Sequence, residues 1–141
     1  MMGPLPATAT LGVGVDLLHI PRMGRILEGP SQRTFMRRTF TAKEIAGAGD
    51  GRDRTRALAM RFAAKEAVFK ALATSWFDDD EFVDIEIAMP RGGTPQVNLG
   101  GRFQRHAEER GITQISISIS EDGDLIVAVA VALCEGAALT S

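Results

Sequence analysis

The chain has 141 residues, 45% of them hydrophobic, and a formal net charge of −2. That suits one domain with a real core and gives no overall argument for a nucleic-acid or membrane partner. One cysteine, Cys134, excludes an internal disulfide and a cysteine-based zinc site and fits a reducing, cytoplasmic setting, and no apolar run is long enough for a transmembrane helix.

Residues 1–10 read as a flexible lead-in without the basic start or long apolar stretch of a signal peptide. A single domain is expected over 11–135, with a short tail at 136–141. Leu11–Leu18 is a candidate strand; Gly12 and Gly14 within it mark a close backbone approach. Asp16 sits inside this strand, and a buried, unpaired carboxylate costs several kcal/mol or gives up its charge. It needs a partner.

Pro21 suits the first turn of a helix over Arg22–Leu27, which Gly29–Pro30 ends. Ser31 can cap a second helix through Arg38, and Thr41–Glu44 has the capping-box pattern of a third. Arg54–Ala73 is the strongest helix, rich in Ala and Leu with no Gly or Pro. After the acidic run Asp78–Glu81, Phe82–Met89 alternates as a half-buried strand, and a short strand is expected at Gln96–Leu99. Phe103–Arg110 is a helix closed by Gly111. Gln114–Ser120 alternates Ile and Ser in period two, 121–124 forms a hairpin turn, and Leu125–Leu133 is a continuous apolar strand. These elements predict an α+β domain with a mainly antiparallel sheet. The alternating Ile face of 115–119 and the strand 125–133 are candidate subunit contacts.

Charge is uneven: His19–Arg61 holds ten Lys/Arg against four Asp/Glu, and the rest of the chain is acidic. Such a basic stretch is either a solvated helix face or the footprint of an acidic partner or anionic ligand. On the long helix Arg61, Lys65 and Lys70 surround Glu66. One reading pairs Glu66 with Lys70 at i, i+4 and Asp16 with Arg61 or Lys65. The other brings both carboxylates to a hard divalent cation such as Mg²⁺, which takes one or two carboxylates, waters and substrate phosphates.

"GVGVDLLHIPRM", "RFAAKEAVFKAL" and "ISISEDGDLIVAVAVAL", in this order and spacing, resemble the three motifs of the holo-acyl-carrier-protein synthases, the small trimeric class of 4′-phosphopantetheinyl transferases. The resemblance covers Leu11 to Leu133. It implies that family's α+β fold, a sheet packed on one long helix with several short ones. It also implies transfer of the phosphopantetheine arm of coenzyme A to a serine of an acyl carrier protein. By this resemblance Asp16 and Glu66 bind Mg²⁺ with the pyrophosphate, Glu66 takes the serine proton, and Lys65 steadies the transferred phosphate. Arg61 and Lys70 contact coenzyme A phosphates, and Gly93 and Pro95 lie in a turn near the adenine. Arg22, Arg25, Met36, Arg37 and Arg38 form the surface that receives the acidic carrier protein; Met23 and Phe40 fit either that surface or the core. Family members of this length are homotrimers with shared active sites.

Two departures stand out. Glu121 replaces the histidine expected before the hairpin turn, where a carboxylate would repel a phosphate unless it points away or meets a cation. "ALATSW" replaces a Gly-Thr-Gly turn after Lys70. The Glu121 departure leaves one alternative, a family member that binds carrier protein or coenzyme A without transferring anything. His19 reads as a structural histidine and His106 as an exposed one.

Overall fold

Alternation in the first strand decides how the sheet meets the long helix. The structure, a computed structural model, describes residues 7–136. Its first strand, β1 (Thr8–His19), buries Gly14, Asp16 and Leu18 on one face and exposes Val13, Val15 and Leu17 on the other. Helices α1 (Ile20–Glu28), α2 (Gln32–Thr39), α3 (Ala42–Ala48) and α4 (Arg54–Leu72) follow, then a 3-10 turn at Phe82–Asp84. The chain continues through β2 (Ile85–Ala88), β3 (Gln96–Leu99), α5 (Gly101–Arg110), β4 (Gln114–Asp122) and β5 (Leu125–Glu135). The strands make an antiparallel sheet in the order β1-β5-β4 and a separate β2-β3 hairpin, so the α+β expectation holds.

The buried face of β1 lies directly on α4. A Cβ at Gly12 or Gly14 would stand 1.9 Å from the carbonyl oxygen of Ala71 or Ala67, respectively. Only glycine lets the two backbones come this close, and α4 meets them with the buried small residues Ala67 and Ala71. Gly14→Ala is therefore expected to cost at least about 2 kcal/mol, since the obstruction is backbone and cannot rotate away; urea unfolding measures it.

Local signals account for most element ends. Pro21 sits in the first turn of α1. The capping box of α3 is formed in both directions, Thr41 N–H to Glu44 Oε1 at 2.8 Å and Glu44 N–H to Thr41 Oγ1 at 3.2 Å. Ser31 occupies the N-cap position of α2 without a side-chain bond. Thr8–Thr10, expected in the lead-in, belong to β1 because they pair with Glu135, Cys134 and Leu133. The rest of that lead-in (1–6) and tail residues 137–141 lie outside the described residues. Phe82–Asp84, expected as strand, turns instead. The Lys65 ammonium binds the carbonyls of both Phe82 and Ile85, and carbonyls three apart on a straight strand point opposite ways.

The isoleucine face of β4 turns toward the chain's own core. Ile117 is buried, and Ile115 and Ile119 pack against the same core. The sheet's outward apolar surface is formed by Val13, Val15 and Leu17, paired with Val131, Val129 and Val127. Among the described residues no helix is long and apolar enough to cross a membrane.

Candidate active site

The partner of Asp16 is Lys70. Its ammonium donates to Asp16 Oδ1 at 3.1 Å and to the Val15 carbonyl at 2.9 Å. Neither Arg61 nor Lys65 reaches Asp16. The second oxygen, Asp16 Oδ2, is buried and has no hydrogen-bond donor among the described residues. Glu66, one turn before Lys70 on α4, lies close enough to share a proton with Asp16. Burial, then the hydrogen bond and charge of Asp16, push the Glu66 carboxyl up to about 7, while Lys70 and Arg22 pull it down. Two carboxyl groups face each other here with too few donors between them, which a shared proton or a cation relieves. The donor set fits Mg²⁺: two hard carboxylates on a strand and a helix locked together by backbone contact, with cations beside them for a phosphate.

Glu66 also predicts a pH effect. Its folded-state pKa lies above the unfolded value, so between about pH 4.5 and 7 the folded chain keeps a proton that the unfolded chain has lost. Stability must then fall as pH rises through that window. With chelator present, raising the pH from 5 to 8 is expected to lower the melting temperature of the native protein more than that of Glu66→Gln.

Lys65 does not face this site. It is fully buried, and its three protons go to Glu44 Oε1 at 2.7 Å, Phe82 O at 2.9 Å and Ile85 O at 2.6 Å. An ammonium has three donors, so none is left for a phosphate. Burial pulls its pKa down and Glu44 pushes back. Glu44 is itself buried and accepts from Ile87 N–H at 3.0 Å. Sequence reasoning found Glu44 as a capping residue and missed its burial, since its partners lie 21 and 43 residues away. Arg61 shares this side of α4. It bonds the Ala57 carbonyl at 3.0 Å and lines a cavity of about 290 Å³ with Glu44, Lys43 and Glu86. Its Nε is buried without a partner among the described residues.

The remaining residues divide between surface and core. Arg22, Arg25, Arg37 and Arg38 are exposed along α1 and α2, and Arg38 pairs with Glu81 at 3.1 Å. Met36 is buried and belongs to the core, as do Met23 and Phe40, so Met36 is removed from the proposed docking surface. The turn holding Gly93 leads to Pro95, which lines a groove of about 570 Å³ between the edges of β3 and β4, apart from Asp16 and Glu66. Glu121 meets a cation, Arg56 Nη1, at 2.6 Å. His106 is not an exposed bystander, because its Nε2 lies 2.7 Å from the Leu72 carbonyl at the end of α4. After Lys70 the chain leaves α4 through Ala73 at φ 53°, a left-handed position without glycine. Arg102 holds the loop that follows through Asp80, the Thr74 hydroxyl and the Ser75 carbonyl. No local pattern links Arg102 to a loop more than 20 residues earlier.

A family model described as the 4′-phosphopantetheinyl transferase superfamily matches residues 12–130. The chain belongs to this superfamily. A holo-[acyl-carrier-protein] synthase of Desulforudis audaxviator is 42% identical over 123 residues, covering 87% of this chain and 92% of the relative. The crystal structure of a Plasmodium yoelii holo-ACP-synthase superposes with a TM-score of 0.78 at 29% identity, covering 92% of this chain and 99% of that one. The ACPS-CoA complex of Chronobacterium ammoniagenes gives a TM-score of 0.75 at 32% identity, covering 93% and 99%. The fold described above is thus the phosphopantetheinyl transferase fold, and Asp16, Glu66 and Lys70 all fall within the matched region.

Proposed function

We propose that this protein is a holo-acyl-carrier-protein synthase. It moves the 4′-phosphopantetheine arm from coenzyme A to a serine of an apo-acyl carrier protein and releases adenosine 3′,5′-bisphosphate. The observation that carries the reading is the orphaned, buried Asp16 Oδ2 beside Glu66, flanked by Lys70 and Arg22. Such a pairing of carboxylates and cations suits a pyrophosphate bound with a divalent ion, and it is an expensive arrangement for mere stability.

In this reading Asp16 and Glu66 hold Mg²⁺, which when bound neutralises charge on the phosphates. Glu66 accepts the serine proton as the serine oxygen meets the β-phosphorus. Lys70, whose side chain is half exposed, turns from Asp16 to the pyrophosphate. Lys65 supports the helix from behind and touches no substrate. Arg22, Arg25, Arg37 and Arg38 receive the acidic carrier protein, chiefly setting its on-rate.

The expected coenzyme A contacts, Arg61, Lys70, Gly93 and Pro95, lie on separate faces of one chain. An assembly in which neighbouring subunits complete each other's sites would reunite them, and the outward face of Val13, Val15 and Leu17 is a fitting contact for a homotrimer. The Arg56 pair neutralises Glu121, so its carboxylate is not an unpaired charge that would repel a phosphate, which supports a catalytic family member over one that only binds. A cytoplasmic location fits a single, unpaired cysteine.

Intact-mass spectrometry of an apo-acyl carrier protein incubated with this protein, coenzyme A and Mg²⁺ tests the reading. A gain of one phosphopantetheine arm, lost with EDTA, supports it. No gain with several carrier proteins, while coenzyme A still raises the melting temperature, favours a binding protein.

A further inference from the structure

Gly12 and Gly14 let β1 lie on α4, yet a strand face without side chains there has little to interlock with the helix and stop it sliding. The two elements pass each other in order. Gly12 faces Ala71, Gly14 faces Ala67, and Asp16 comes beside Glu66. Two cations hold this register with hydrogen bonds. Lys70 ties the site end, through the Val15 carbonyl at 2.9 Å and Asp16 Oδ1 at 3.1 Å. Arg110, in the last turn of α5, ties the other end. Its Nη1 donates to the Leu72 carbonyl at 2.9 Å and its Nη2 to the Leu11 carbonyl at 3.0 Å.

Both carbonyls lack a partner within their own element. Leu72 is the last residue of α4, where no further helical N–H is left to bond its carbonyl. Leu11 is the extra residue between Thr10 and Gly12, where the pairing of β1 with β5 shifts. One guanidinium fork serves both. His106 Nε2 also lies 2.7 Å from the Leu72 carbonyl, but among the described residues it makes no hydrogen bond to β1.

Resting on the transferase reading, Lys70 turns from Asp16 to the pyrophosphate, so the tie at the site end opens when the substrate is bound. We propose that Arg110 is the positioning residue that keeps β1 in register on α4 while Lys70 is engaged, and so keeps Asp16 and Glu66 at a spacing one divalent cation can bridge. Arg110 touches no substrate in this role. Without it the strand drifts during turnover, and a misplacement of about 1 Å can cost about a hundredfold in rate.

The test compares Arg110→Met with His106→Leu. Each removes a partner of the Leu72 carbonyl, but only Arg110→Met cuts the link to β1. Arg110 is exposed, so its variant is expected to fold. Transfer from coenzyme A to an apo-acyl carrier protein is read by intact mass, per folded molecule and at saturating Mg²⁺. Arg110→Met is expected to lower kcat roughly tenfold or more with the KM for coenzyme A within about twofold, while His106→Leu keeps the native kcat even where its melting temperature falls. A second readout needs no turnover. With coenzyme A present and no carrier protein, the Mg²⁺ concentration giving half of the thermal protection should rise severalfold in Arg110→Met and stay in place in His106→Leu. A native kcat or an unchanged Mg²⁺ requirement in Arg110→Met overturns the proposal and leaves the transferase reading standing. So does an equal loss of kcat in both variants, which marks a frayed helix end. No transfer by the native protein overturns both.

Discussion

Glu66→Gln is expected to reduce phosphopantetheine transfer by at least about a thousandfold without lowering the melting temperature above pH 7. The glutamine keeps the shape of the side chain but can neither take the serine proton nor lend a charge to a cation. It also removes the crowding between Glu66 and Asp16, where an oxygen is already buried without a donor. Stability should therefore hold or rise while activity disappears, a trade seen where charges are kept for chemistry. Asp16→Asn should behave alike. Initial rates by intact mass beside thermal melts decide it, and a variant with near-normal rates takes its residue out of the site.

Lys65→Met is expected to do the reverse. Removing the ammonium leaves the Glu44 carboxylate and the carbonyls of Phe82 and Ile85 buried without their donor. Breaking one side of a buried ion pair costs at least about 3 kcal/mol. Transfer per folded molecule should stay near that of the native protein, because Lys65 has no proton free for substrate. Urea unfolding and rates normalised to the folded fraction separate the two effects. A stable Lys65→Met protein that has lost transfer would show that this lysine leaves its cage to reach a phosphate.

These two residues also show where sequence reasoning ends. Asp16 and Glu66 could be singled out because each violates its surroundings, a carboxylate in an apolar strand and another among alanines. Their company could be narrowed only to the neighbouring cations, and Lys70 rather than Arg61 or Lys65 holds Asp16, because β1 crosses α4 at a height set by the two glycines. Lys65 adjoins Glu66 in sequence but projects about 100° away around the helix, toward Glu44. The capping box of α3 was legible since its bonds span three residues. The isoleucine alternation in β4 announced one buried face and could not say what buries it. Met36 sits among arginines on a short helix, and only the packing of α2 shows that it turns inward. The clamp of Arg102 on Asp80 and the pair between Arg56 and Glu121 join distant segments, and no local pattern marks them.

The contact of Gly12 and Gly14 with α4 has a thermal consequence. Where side chains set the distance between two functional groups, warming loosens that distance through rotamer exchange well before the chain unfolds. Here the separation of the strand and helix that carry Asp16 and Glu66 is gauged by main chain against main chain, which leaves only the two carboxylate side chains themselves free to move. The carboxylate pair should hold its geometry up to the melting transition, and heat inactivation should track global unfolding rather than precede it.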